Sequence, residues 1–278
     1  MDRLIRHAQA LAAAIQFLTR IPVPLLIPFE RPVLSRSVIY FPLAGALIGL
    51  LLWLASELLV SLLPPWPSAI ILVGLGVMLT GGLHLDGWMD TADGVFSHRS
   101  RERMLEIMKD SRVGAMGVIA AVLLLLLKIS VVAELLALLG QHEVSIGWLF
   151  ILACSWSRAW MAAAIGGWPT ARGEEGLAAL FNGVNSWGAS WALLLAGLVS
   201  FAALQAASLQ SAALPTQTVI GALLIVAGAG IVSALCGASM AIWLTRKLGG
   251  LTGDTYGAMN EAIEACVLLA ALMWLYNG

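Results

Sequence analysis

Three aspartates stand out first. The stretch HLDGWMDTADG, residues 84–94, places Asp86, Asp90 and Asp93 directly after the uncharged run AIILVGLGVMLTGGL. A spacing of i, i+4 and i+7 puts all three carboxylates on one face of a helix, where like charges repel unless a cation sits among them. A few residues on, RERMLEIMKDSR supplies Glu102, Glu106 and Asp110, again four apart and on one face. Two such faces joined by the short polar turn SHRSR form a helical hairpin in which the carboxylates converge. Hard oxygen donors of this kind suit magnesium, or manganese in its place, with water and phosphate completing the shell. Acidic residues in a polar loop are usually just solvated, and Glu102 reads that way, paired with Arg99 or Arg103. Asp86, Asp90 and Asp93 do not, because they begin where an apolar span ends and solubility does not require a one-sided stripe.

Basic and polar residues accompany the acids. Lys109, Arg112 and Arg99 are placed to bind phosphate oxygens that a metal leaves uncovered. Arg158, in CSWSRAW, lies inside an apolar run, where a cation faces a cavity, a substrate or a partner. Lys128, in LLLLLKIS, falls under the same argument, with Glu134 as its nearest acidic neighbour in sequence. His84 precedes the first aspartate as a partner to the carboxylates or a substrate contact; a lone histidine is more often simply hydrogen-bonded. A third polar group comes late: GGLTGDTYGAMNEAIEA, residues 249–265, sets Asp254 in a Gly/Thr-rich loop and sends Asn260, Glu261 and Glu264 into the last apolar run. Glu261 and Glu264, at i and i+3, share a face and mark a polar cavity at the same end of the molecule as the first cluster.

The elements that must position these groups are apolar helices. Of 278 residues, 60% are hydrophobic and 11% charged, against about 25% charge in an ordinary soluble domain. Segments of about 20 apolar residues cross a bilayer. Seven qualify: 38–62, 67–85, 113–139, 146–166, 187–208, 217–245 and 257–277. The expected fold is therefore all-α, a polytopic membrane bundle forming one domain over 1–278. An interfacial amphipathic helix lies within 1–37, retained rather than cleaved as a signal peptide, and the acidic segment is 86–112. All but two of the 15 Lys and Arg lie in 1–37, 86–112, 167–186 and 246–256; the two are Lys128 and Arg158. The opposite loops, 63–66, 140–145 and 209–216, carry none. The positive-inside bias thus places the N-terminus and the acidic segment on the cytoplasmic side. Cys154, Cys236 and Cys266 are isolated packing residues, the tryptophans gather near span ends, and a net charge of −1 with no basic aromatic patch gives nucleic acid no footing. Glycine-rich span faces allow packing within one chain or into a homo-oligomer.

The stretches GGLHLDGWMDTADG, LEIMKDSRVGAMG and GGLTGDTYGAMNE, with FLTRIPVP and FPLAGALIG before them, resemble the cobalamin synthases, adenosylcobinamide-GDP ribazoletransferases, over nearly the whole chain. The resemblance implies a magnesium-dependent inner-membrane enzyme. It would join adenosylcobinamide-GDP to α-ribazole or its 5′-phosphate, releasing GMP. It implies Asp86, Asp90, Asp93, Glu106 and Asp110 as metal ligands and Asp93 and Asp110 as catalytic, Asp110 accepting the proton of the attacking hydroxyl. His84, Lys109, Arg112, Arg158, Asp254, Asn260 and Glu261 would contact substrate. A more distant similarity is to CDP-alcohol phosphotransferases, whose motif start is matched by Asp90, Asp93 and Gly94, with Glu106 and Asp110 on the second acidic pair. No Ala-Arg follows the glycine and one acid is glutamate, which argues against a phospholipid synthase. A cation transporter would need polar residues across the whole bilayer, and the acids cluster at one end. A scaffold with a solvated acidic loop is the remaining alternative.

Overall fold

A computed structural model describes residues 2–28, 30–140, 145–173, 180–181, 183–184, 186–209 and 218–277. The chain runs through helices α1 (Asp2–Leu18), α2 (Arg31–Ser37), α3 (Phe41–Leu62), α4 (Pro65–Thr80), α5 (Leu83–Val95) and α6 (Arg101–Ile107). It continues through α7 (Ala115–Gly140), α8 (Gly147–Gly167), α9 (Ser186–Ser208), α10 (Val219–Leu248) and α11 (Gly253–Asn277). The described residues contain no strand, only an isolated bridge between Thr170 and Leu251. Six helical stretches are long and apolar enough to cross a membrane, and the bent pair α4–α5 makes a seventh if counted as one. The expected bundle is thus observed. The loops expected opposite the acidic segment near 140–145 and 209–216 fall largely outside the described residues.

Burial follows the environment of a bundle in lipid. Helix α8 is the central post: Trp148, Leu149, Ala153 and Ala159 are buried. Helices α7 and α10 instead turn Leu123, Leu126, Leu224 and Leu235 outward. With lipid tails as apolar as leucine, such helices gain little from hydrophobicity alone and associate through close backbone packing. Gly45 and Gly49, four apart on α3, provide it. A methyl group on Gly45 would come within 2.2 Å of the Cys154 carbonyl oxygen, and one on Gly49 within 2.5 Å of the Ile151 Cα.

The segment expected to span 67–85 divides. Helix α4 stops at Thr80 because Gly81 and Gly82 both take left-handed backbone angles, φ 64° and 75°, a conformation that side-chain-bearing residues resist. Their N–H groups close the helix by donating to Met78 and Val77 carbonyls at 3.0 and 2.9 Å. The chain leaves at 90° as α5. At 13 residues, about 20 Å, α5 is too short to cross alone. It packs against the starts of α7 and α11 and carries the three aspartates. The expected hairpin arm after it is real but short: α6 has seven residues, begun by Ser100, whose Oγ accepts from the Arg103 N–H at 3.4 Å. Asp254, expected in a loop, lies in the first turn of α11.

Candidate active site

Local sequence fixes each wall of the site. Thr252 and Thr255 start α11 reciprocally: the Thr255 hydroxyl accepts from the Thr252 N–H at 2.8 Å, and the Thr252 hydroxyl accepts from the Thr255 N–H at 3.3 Å. That cap aims Asp254 toward α5. Gly87 lets the two helices meet, since a methyl group there would sit 2.5 Å from the Asp254 carbonyl oxygen. A short ladder draws in a further residue: the Ala171 N–H donates to the Leu251 carbonyl, and the Leu251 N–H to the Pro169 carbonyl, each at 2.8 Å. Arg172 is thereby held with Nη2 3.3 Å from Asp254 Oδ2 and 3.3 Å from the Leu105 carbonyl oxygen. In the sequence Arg172 stands out only as the lone cation of residues 167–186, which bears on topology rather than on a site.

The aspartates therefore divide by role. Asp90 is half-buried, and its carboxyl is pushed up to about 7, first by burial and then by the charges of Asp86, Asp254 and Asp93, with Arg172 opposing. Of the charges that raise Asp90, those of Asp86 and Asp254 outweigh that of Asp93, and Asp86 also bears on Asp254. Asp93 points at the start of α7, where its oxygens accept from the Gly114 and Gly117 N–H groups at 2.7 Å each, satisfying donors that every helix start leaves open. Glu106 and Asp110, expected to converge with the first cluster, instead pair with arginines at the surface. Glu106 Oε2 is 2.6 Å from Arg103. Asp110 accepts three bonds from Arg112, at 3.0, 3.0 and 2.7 Å, which hold its carboxyl down at about 2. Lys109 follows α6 on the exposed side.

The groups expected inside the spans are engaged with one another. Lys128 lies 2.5 Å from Glu261 and 2.7 Å from Glu264; these, rather than Glu134, are its partners. Arg158, expected at substrate, is paired with Glu264, to which the Asn260 amide donates at 3.4 Å. This four-charge network ties α7, α8 and α11 together beneath α5. His84 is 1% exposed, and its Nε2 has no hydrogen-bond partner.

Among the described residues no three His, Cys, Asp or Glu side chains form a ready-made metal cage. The donor chemistry nonetheless fits magnesium. That ion keeps several waters and is held through one or two carboxylates and a substrate phosphate, and a cation would relieve the charges of Asp86 and Asp254 that raise Asp90.

Fold and site together define a polytopic helical membrane protein with an acidic site where α5 meets the start of α11. Residues 10–272 match the family model described as Cobalamin-5-phosphate synthase. An adenosylcobinamide-GDP ribazoletransferase of Brevibacillus brevis is 40% identical over 270 residues, covering 94% of this chain and 98% of that protein. Proteins of the same name from Alkaliphilus metalliredigens and Desulfitobacterium hafniense are each 38% identical, covering 93% and 95% of this chain and 93% and 96% of their own lengths. No solved structure matches the chain. The chain belongs to the cobalamin-5-phosphate synthase family and is a transferase of cobalamin synthesis.

Proposed function

We propose that this protein transfers the adenosylcobinamide-phosphate group of adenosylcobinamide-GDP to a hydroxyl of α-ribazole or α-ribazole 5′-phosphate, releasing GMP. The site is assigned to the cytoplasmic face of an inner membrane, as the basic residues of the α1 and α5–α6 side support. The observation that carries the reading is the gathering of Asp86, Asp90 and Asp254 beside Arg172, in a chain whose relatives bear that activity in their names.

In such a transfer the protein mainly positions reactants and neutralises charge. Asp86, Asp90 and Asp254 would hold magnesium, which when bound supplies charge neutralisation at the phosphates. Arg172 keeps Asp254 in register, and its Nη1 would be available to a phosphate oxygen. A carboxylate of this group not spent on the cation accepts the hydroxyl proton. Asp110 is poorly suited to that task while Arg112 occupies both of its oxygens. Asp93 acts at one remove, by fixing α5 on α7.

The experiment is GMP release by purified protein given adenosylcobinamide-GDP, α-ribazole and magnesium. Asp90→Asn should lose it by roughly a hundredfold or more, with the melting temperature kept or raised because a crowded charge is gone. Full activity in Asp90→Asn would remove the carboxylate group from the mechanism. Reaction only with CDP-linked donors would overturn the substrate assignment.

A further inference from the structure

A second feature adjoins the carboxylates. Between α1, α3, α5, α8 and α11 lies a cavity of about 110 Å³ whose lining includes Phe17, Phe41, Phe181 and Tyr256, with His84 within it and Asp86 on its wall. The three phenylalanines form one aromatic unit: Phe17 stacks on Phe41 with centroids 6.2 Å apart, and Phe181 meets them edge-on at 5.2 and 5.7 Å. Phe41, Phe181 and Tyr256 are all buried. The unpartnered Nε2 of His84 belongs to this lining, and a buried polar atom without a partner is costly unless a ligand supplies one.

These walls choose their occupant. A phosphate would require cations, and the only formally charged side chains on this wall besides His84 are the carboxylates Asp86 and Asp254; aromatic faces offer a sugar few hydrogen bonds. Guanine is recognised through the donors and acceptors around its edge, and the two carboxylates on this wall, Asp86 and Asp254, are those assigned above to magnesium, which leaves most of that edge unmet. The volume is below the ~300–1,000 Å³ of pockets that enclose a drug-sized ligand, so one ring system enters rather than a nucleotide. We infer that this cavity binds the aromatic base of the acceptor nucleoside, a benzimidazole-type ring held between phenylalanine and tyrosine faces with one ring nitrogen meeting His84 Nε2. The inference rests on the reaction proposed above. It makes Phe17 of the amphipathic helix α1 a determinant of acceptor choice, and it sets the acceptor's ribose beside Asp86 and Asp254.

Full-length purified protein tests this through acceptor kinetics. Phe181→Leu and His84→Asn should each raise the acceptor KM roughly tenfold, the value of a lost aromatic or hydrogen-bonding contact, with the donor KM unmoved. Benzimidazole alone should inhibit the unaltered enzyme competitively against acceptor and not against donor. An unchanged acceptor KM in either variant, or benzimidazole that competes with donor or does not inhibit, would overturn the assignment. If a variant does not fold, the inhibition pattern of the unaltered enzyme decides by itself. GMP release by the unaltered enzyme is a separate readout: its absence with every acceptor sinks the reaction, whereas its presence with unaltered acceptor KM sinks only the pocket.

Discussion

Replacing Lys128 by methionine probes the buried charge network most directly. The side chains are similar in length, so the change removes a charge and leaves little cavity. Glu261 and Glu264, 2.5 and 2.7 Å from the ammonium, would then share only Arg158, and one carboxylate is left over. Breaking a buried ion pair from one side costs ~3–5 kcal/mol. The orphan has an escape, because it can take up a proton; from an ordinary value of about 4.3 that costs about 3.7 kcal/mol at pH 7. The deficit should therefore sit near this ceiling. At ~2–4 °C per kcal/mol for chains of comparable size, Lys128→Met should melt about 7–15 °C below the unaltered protein. Since a protonated orphan is cheaper at low pH, the deficit should shrink by about 2 kcal/mol at pH 5.5. Adding Glu261→Gln should restore most of the loss by rebalancing the charges. Thermal unfolding in detergent, followed by intrinsic tryptophan fluorescence at both pH values, measures all three. A Lys128→Met protein melting within about 2 °C of the original at pH 7 would refute the network as an element of stability, and a pH-independent deficit would refute the orphaned-carboxylate account.

Further outcomes follow from the site. Asp93→Ala should cost about 1–2 kcal/mol by uncapping α7, read as a lower melting temperature, with Asp93→Asn recovering part of it. Gly87→Ala should force the start of α11 away from α5, because a methyl group meets the Asp254 carbonyl at 2.5 Å; activity should fall more than the ~1–3 kcal/mol overpacking cost in stability suggests. Asp90, pushed up to about 7, disfavours the folded state once ionised, so metal-free stability should decline as pH rises from about 4 to 7. Magnesium should bind better as Asp90 ionises, seen as a growing magnesium-induced shift in melting temperature between pH 6 and 8, and Asp90→Asn should flatten both trends.

Much of the architecture was legible in the chain itself. Apolar runs of membrane length specify a polytopic helical bundle, because lipid leaves a backbone few choices but helix. The spacing of Asp86, Asp90 and Asp93 correctly put them on one helix. Spacing could not say which other carboxylates that helix meets. By proximity Glu106 and Asp110 are its natural partners, yet α6 is short, and Glu106 on it and Asp110 after it find arginines three and two residues away. The partner is Asp254, brought across from the start of α11 by a glycine on α5 and a threonine cap. The partners of Lys128 lie 133 and 136 residues away, and Phe17, Phe41 and Phe181 form one cavity wall from three distant segments. Composition and period act locally and through solvent, so they set which segments are helices and which of those are long and apolar enough to span. Which side chains meet depends on how closely helices approach and where they bend, at Gly45, Gly49, Gly81, Gly82 and Gly87. Only packing in three dimensions decides that.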